Sequence, residues 1–291
     1  MSTPVKLSAF AAVLAVLFAG GALAGAAIGP ENDDPAETQE HAEMNAPTNE
    51  SAHGGGHEQA GAAPQPVRGL AVAEGGLRVV VEDPELRRGR DERLAFRIVD
   101  ERGQTVHDFD VEHTKRMHLI LARRDLTGFQ HLHPEQADDG AWVTSVRLGE
   151  AGSYRLFADF SVGDEARTLA SDLRVDGPAD LEPLPAPRAT AVSDGGYDVG
   201  LDAGDAHPGE EANLRFTITK DGAPVQTEPY LGAGGHLVAL REGDLAFLHV
   251  HPTGDGPSFA ATFPTEGRYR LFLQFQHEGR VQTVAFTQEV K

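Results

Sequence analysis

The sequence predicts an all-β protein made of two tandem antiparallel sandwiches, and three observations predict it. The first is an internal duplication. Tyr154-Arg155-Leu156-Phe157 recurs as Tyr269-Arg270-Leu271-Phe272, and Phe96-Arg97-Ile98 as Phe216-Thr217-Ile218. The second is a run of short β-prone segments closed off by Gly, Pro and Asp, with no long helical period. The third is a histidine pattern present twice. His118 precedes His131-Leu132-His133-Pro134, and His236 precedes His249-Val250-His251-Pro252, each at a spacing of 13 residues.

In chain order, the first element is an export signal. Lys6 is followed by an uncharged run from Ala9 to Gly29, whose 21 residues approach the roughly 20 that cross a bilayer as a helix. Ala22-Leu23-Ala24 also offers a signal-peptidase site. Residues 1–29 therefore read as a cleaved signal peptide or a membrane anchor, and either one exports the acidic remainder. If it is uncleaved, this segment is the contact with the membrane. Residues 30–68 read as a disordered acidic tether carrying His41, His53 and His57, with almost no large apolar side chain.

Residues 69–176 form the first predicted repeat and 190–291 the second, joined by a Pro-rich linker over 177–189. Each repeat has about a hundred residues, enough for a core of its own. Val79–Val81, Leu94–Val99, Leu119–Ala122 and Tyr154–Phe160 read as strands of the first. Leu214–Thr219, His236–Leu240, Phe247–Val250, Phe259–Phe263, Tyr269–Phe275 and Val281–Phe286 read as strands of the second. Trp142 belongs to the core by its type. Gly152-Ser153-Tyr154 and Gly267-Arg268-Tyr269 resemble the tyrosine corner of immunoglobulin-like domains, where the hydroxyl bonds back to a nearby backbone group. The resemblance implies two Ig-like sandwiches.

Composition excludes several functions. The formal net charge is −20, so the basic footprint that nucleic acid requires is missing. The excess is steepest in the tether, where Glu31–Pro66 holds eight acidic residues and no Lys or Arg. With no cysteine there is no disulfide, thiolate ligand, thiol nucleophile or lipid-bearing side chain.

The histidines carry the functional reading. Imidazole is the commonest ligand of borderline transition metals, so His118, His131, His133, His236, His249 and His251 are the candidate metal ligands. On a strand, His131 and His133 share a face. If Leu126-Thr127 is the hairpin turn, Ile120 lies opposite His133, and His118 is the diagonal same-face neighbour of His133. His131 then lies opposite Ala122, about 13 Å along the strand from His118. The same register in the second repeat pairs His236 with His251, so one site is predicted in each repeat, with two of the histidines plus a ligand from elsewhere. His113 is the nearest candidate in the first repeat, although Lys115 and Arg116 disfavour a cation. An all-imidazole set without thiolate or thioether suits Cu(II) or Zn(II). The competing reading is architectural: each ring is satisfied by neighbouring polar groups as the strand enters a turn. His107, His207 and His277 lack partners by spacing and read as surface or turn residues.

The stretches Met117-His118-Leu119-Ile120, Phe129-Gln130-His131-Leu132-His133-Pro134 and Tyr154-Arg155-Leu156-Phe157 resemble a family of exported bacterial proteins. Related segments accompany heavy-metal handling proteins, including periplasmic adaptors of efflux systems. The resemblance spans roughly residues 75–290. It implies an extracytoplasmic protein that binds Cu(II) or Zn(II) for metal tolerance or delivery, with an envelope metal transporter or chaperone as partner. The alternative is a non-catalytic structural or protein-interaction module of the envelope. Enzymatic use of a His-bound metal, as a hydrolase or oxidoreductase, is disfavoured. No nucleophile motif or nucleotide loop is present, and Asp159 becomes Gln274 in the second repeat.

Overall fold

The computed structural model describes residues 67–291 apart from His249 and Asp255. The expectations for residues 1–66, including the export segment, His41, His53 and His57, and for His249 lie outside the described residues. Repeat one contributes β1 (Ala73–Glu74), β2 (Leu77–Val81), β3 (Glu85–Leu86), β4 (Asp91–Val99), β5 (His118–Arg123), β6 (Gln130–Leu132), β7 (Glu135–Gln136), β8 (Trp142–Arg147), β9 (Gly152–Val162) and β10 (Glu165–Val175). Repeat two contributes β11 (Thr190–Val192), β12 (Asp198–Asp202), β13 (Glu211–Lys220), β14 (Ala223–Pro224), β15 (His236–Arg241), β16 (Phe247–Leu248), β17 (Val250–Pro252), β18 (Ser258–Thr262), β19 (Gly267–His277) and β20 (Arg280–Val290).

Each repeat is a two-sheet sandwich. In repeat one the sheets run β1-β2-β4-β8-β7 and β3-β10-β9-β5-β6, antiparallel except for the parallel pair β3–β10. In repeat two they run β11-β12-β13-β18-β17, with β14 on β13, and β16-β15-β19-β20. This is the ABED-against-GFC strand order of immunoglobulin domains. Both predicted tyrosine corners form: Tyr154 donates its hydroxyl to Glu150 O at 3.0 Å, and Tyr269 to Thr265 O at 2.9 Å. Tyr269→Phe is expected to cost about 1 kcal/mol, because a buried carbonyl loses its donor. A denaturant midpoint unchanged from wild type would show that water replaces that bond.

Alternation along the strands fills each sandwich. Leu94, Phe96 and Ile98 of β4 face Leu119 and Leu121 of β5, with Tyr154, Leu156 and Ala158 of β9, in one cluster. Leu214, Phe216, Leu271, Leu273 and Phe275 do the same in repeat two. Trp142 is buried in the first of these, edge-on to Phe109 at 5.1 Å.

A third core joins the repeats. The residues that point out of each sandwich from β5, β9, β15 and β19 would meet water in an isolated domain. Here Ile120, Ala122, Leu126 and Phe157 pack instead with Val238, Leu240, Leu245, Phe247 and Phe272. The contacts are reciprocal across an approximate two-fold. Phe129 stacks on Phe272 with centroids 4.0 Å apart, and the equivalent residues Phe247 and Phe157 meet at 5.6 Å. Two copies of one surface thus bind each other as in an isologous dimer, within one chain. Both inner sheets are covered on both faces, which is why every residue of β5 is buried.

Two segments pin this interface. The backbone at Arg68 O accepts from Phe247 N at 3.0 Å, and Gly69 N donates to Thr168 O at 3.1 Å. A Cβ on Gly69, whose φ is +69°, would lie 2.8 Å from both Phe157 and Phe247, so only glycine passes there. The Pro-rich linker is tied down rather than acting as a spacer. Glu182 N donates to Asp125 Oδ2 at 2.8 Å, Arg123 Nη2 donates to Asp180 O at 3.0 Å, and Leu184 is buried in the third core.

The predicted hairpin register is corrected by two residues. Ile120 pairs with His131, not with His133. The cause is the turn: Leu126 N bonds Arg123 O at 2.8 Å and Arg123 N bonds Thr127 O at 2.9 Å, which closes a three-residue loop. Leu126 occupies the left-handed region at φ +64°, and Gly128 at φ +61° adds a bulge. Repeat two reaches the equivalent register, Leu240 against Phe247, through a four-residue loop closed by Arg241 N to Ala246 O at 3.0 Å. In repeat one the shift by an even number keeps His118 and His131 on the face they share in the predicted register.

Candidate functional site

The corrected register assembles the histidines. His118 opens β5 and His131 sits opposite Ile120 on β6, so the two are diagonal neighbours on the outward face. His236 opens β15 at the place equivalent to His118, and the approximate two-fold passes between them. Their rings are 5.7 Å apart and nearly parallel, at 7°. His236 also lies 4.7 Å from the His131 ring. One ring nitrogen from each of His118, His131 and His236 falls within 4.8 Å of the others.

Hydrogen bonds order this group. His118 Nε2 lies 3.1 Å from Glu112 O, and His118 Nδ1 lies 3.1 Å from His131 Nε2. His131 Nδ1 lies 2.7 Å from Gln274 Oε1, across the repeat boundary. Gln274 Nε2 donates to Thr283 Oγ1 at 3.2 Å. Asp159, the counterpart of Gln274, accepts from Thr168 Oγ1 at 2.6 Å. Burial dominates the electrostatics. It lowers His118 to about 4, His131 to about 3 and His133 to about 4, and it holds His236 well below the ordinary imidazole range. The same burial raises Asp159 to about 6.

Two further histidines flank the trio. The His133 ring is 5.0 Å from His118 and 4.8 Å from His131, and its buried Nε2 has no hydrogen-bond partner. The exposed His113 lies 6.1 Å from His118 and 5.9 Å from His236. It sits in a tight turn with Thr114, both at positive φ (46° and 69°), an unfavourable geometry for a β-branched residue. Repeat two builds the equivalent turn from Leu231 and Gly232 and offers no imidazole there. A void of about 10 Å³ bounded by His113, Gly235 and His236 opens beside the trio.

The six predicted ligands divide unevenly. His118, His131 and His236 come together, and His133 stands at their margin. The expected pairing of His236 with His251 does not form. After β16 the chain leaves the sheet of His236, and β17 places exposed His251 opposite Ala260 in the other sheet. Among the described residues, histidines of both repeats thus meet in one group. His107 and His207 are exposed, and His277 bonds Tyr197 Oη at 2.9 Å. Glu112 O and Gln274 had no signal as partners. The outward apolar positions Ile120, Phe157, Val238 and Phe272 did carry one, since alternation alone leaves them without a core.

The sequence profile of a family described as a domain of unknown function (DUF8832) matches residues 71–177 and 190–291. No curated protein matches the chain. Among solved structures, the chain is similar to the Escherichia coli adhesin FdeC at 15% identity, covering 76% of this chain and 66% of that one, with a TM-score of 0.27. It is similar to Salmonella alpha-2-macroglobulin at 14% identity, covering 78% of this chain but 15% of that one, with a TM-score of 0.28. A chimeric titin Z1Z2 is 14% identical over 73% of this chain and 96% of that one, at a TM-score of 0.19.

Proposed function

We propose, for a chain that belongs to the DUF8832 family and carries its domain twice, a non-catalytic structural or interaction module of the cell envelope. In it the two Ig-like repeats act as one body. The observation that carries this reading is the third core, in which equivalent outward residues of the two repeats bury one another. A linker-joined pair of independent domains would keep those faces polar. The uncharged run from Ala9 to Gly29 supports an extracytoplasmic position. The test is thermal unfolding of the full chain in excess chelator, followed by both aromatic fluorescence and calorimetry. One transition with equal calorimetric and van't Hoff enthalpies is expected. Two separable transitions would overturn the single-body reading.

The histidine layer inside this module supports a second reading. Its hydrogen bonds suit an architectural role, but three ring nitrogens converging within 4.8 Å from two repeats favour binding of Cu(II) or Zn(II). On that reading the module serves metal tolerance or delivery, with an envelope metal transporter or chaperone as its partner.

A further inference from the structure

We propose that the chain holds one transition-metal ion, Cu(II) or Zn(II), in a site shared by the two repeats, ligated by His118 Nδ1, His131 Nε2 and a ring nitrogen of His236. The proposal rests on the metal-binding reading and deepens it from candidate residues to named atoms and a count of one ion per chain.

The convergence of three ring nitrogens from two repeats carries it, and proton counting agrees. The chain of contacts runs from Glu112 O to His118 Nε2, from His118 Nδ1 to His131 Nε2, and from His131 Nδ1 to Gln274 Oε1. Its two ends are a carbonyl and an amide oxygen, which only accept. Each end therefore takes an N–H from the ring it touches. At pH 7.5, above the ordinary imidazole pKa of about 6.5, each ring carries a single N–H. Three contacts need three protons, and two rings supply two. The proton missing is the central one, so the lone pairs of His118 Nδ1 and His131 Nε2 face each other at 3.1 Å. In a protein interior that opposition is unfavourable, and a divalent cation converts it into two bonds.

The ring separations agree with an ion of ordinary size, and the ring nitrogens, which lie within 4.8 Å of one another, need to draw in by up to about 1.4 Å to bind it. Two nitrogens on a tetrahedral ion with bonds of about 2.0–2.1 Å sit about 3.4 Å apart, and their ring centroids about 5 Å apart. The three centroid separations are 5.3, 5.7 and 4.7 Å. The outer contacts match what holds metal-ligating imidazoles elsewhere, where the second ring N–H donates to a carbonyl or carboxylate oxygen and fixes the tautomer. The unpartnered His133 Nε2 and the void of about 10 Å³ beside His236 leave room for a fourth donor, either the ring or one water. Were Gln274 turned over, its amide would donate to His131 Nδ1 and close the chain without an ion. Thr283 Oγ1, 3.2 Å from the Gln274 amide nitrogen, can donate as well as accept, so the proton count is that of the amide orientation seen here and the Gln274 variants test it.

The test is calorimetric titration of Zn(II) chloride, repeated with Cu(II) chloride, into the full chain at pH 7.5. One tight ion per chain is expected. His118→Gln, His131→Gln and His236→Gln should each weaken it by about 100-fold or more, although His236 belongs to the other repeat. His251→Gln should bind like the wild type. Thermal unfolding in chelator establishes that each variant folds. Gln274→Glu removes no ring and keeps an acceptor oxygen, so it should retain the ion, whereas Gln274→Leu should weaken it about 10–100-fold. Two tight ions per chain, or wild-type binding by His236→Gln, would overturn the shared site and leave metal binding standing. Equal binding by the two Gln274 variants would overturn the atom assignment. A wild-type chain that binds no tighter than the triple histidine variant would end both the site and the reading beneath it.

Discussion

Replacing Phe157 by Ala is expected to destabilise the protein by about 3–5 kcal/mol, the range for a fully buried phenylalanine. Phe157 is 0% exposed, yet it points away from the core of its own sandwich. Its burial comes from Phe247 of repeat two and from the segment at Gly69 that opens repeat one. The loss should therefore reach both repeats, lowering the midpoint of one shared transition or splitting it in two. Phe272→Ala, at the equivalent place, should act alike, since Phe272 stacks on Phe129. Chemical denaturation with a probe in each repeat measures both. A cost under about 1 kcal/mol for Phe157→Ala, a typical surface value, would show that the repeats do not share a core in solution.

Stability is expected to fall steeply as the pH drops from about 6.5 towards 4, by roughly 3 kcal/mol per pH unit near pH 5. Burial holds His118 at about 4 and His131 at about 3 in the folded chain, and His236 well below 6.5. In the unfolded chain all three titrate near 6.5. Between those limits the unfolded chain binds protons that the folded chain does not, so acid favours unfolding. Asp159 works the other way. Its folded value of about 6 exceeds the unfolded 3.8, so from pH 6 down to 3.8 the folded chain holds the extra proton. Three imidazoles less one carboxyl leave two protons, and each is worth about 1.4 kcal/mol per pH unit. His133 is more open to solvent and adds less. Denaturant titrations at pH 5 and pH 7 in chelator measure the slope. His131→Gln should reduce it by about one proton. A flat profile over that range would mean that the rings are protonated in the folded chain and the layer is open to water.

Much of the fold was legible in the sequence because it depends on local patterns. The duplication placed two equivalent domains, β-prone runs placed Leu94–Val99, Leu119–Ala122 and Tyr154–Phe160 on strands, and each Gly-x-Tyr marked a corner whose hydroxyl bonds to nearby backbone. The faces of His118 and His131 were also legible, since faces depend only on whether a register offset is odd or even. The offset itself was not. It depends on a leucine held at positive φ and on a bulge at Gly128, a conformation that costs Leu126 energy and that only the buried pair of Arg123 with Asp125 and the surrounding packing sustain.

The sequence by itself therefore determined two histidine-bearing sandwiches and, in repeat one, the side of the sheet that His118 and His131 occupy. Only the tertiary structure decided that this side faces repeat two. The choice lies in the apolar outward residues Ile120, Phe157, Val238 and Phe272, which find a core only when two sheets far apart in the chain close over them. That closure brings His236 to His118 and His131, and Gln274 to the far nitrogen of His131. Spacing along a chain fixes distances within a hairpin. It carries no term for contact between surfaces more than a hundred residues apart, where burial of apolar area sets the geometry.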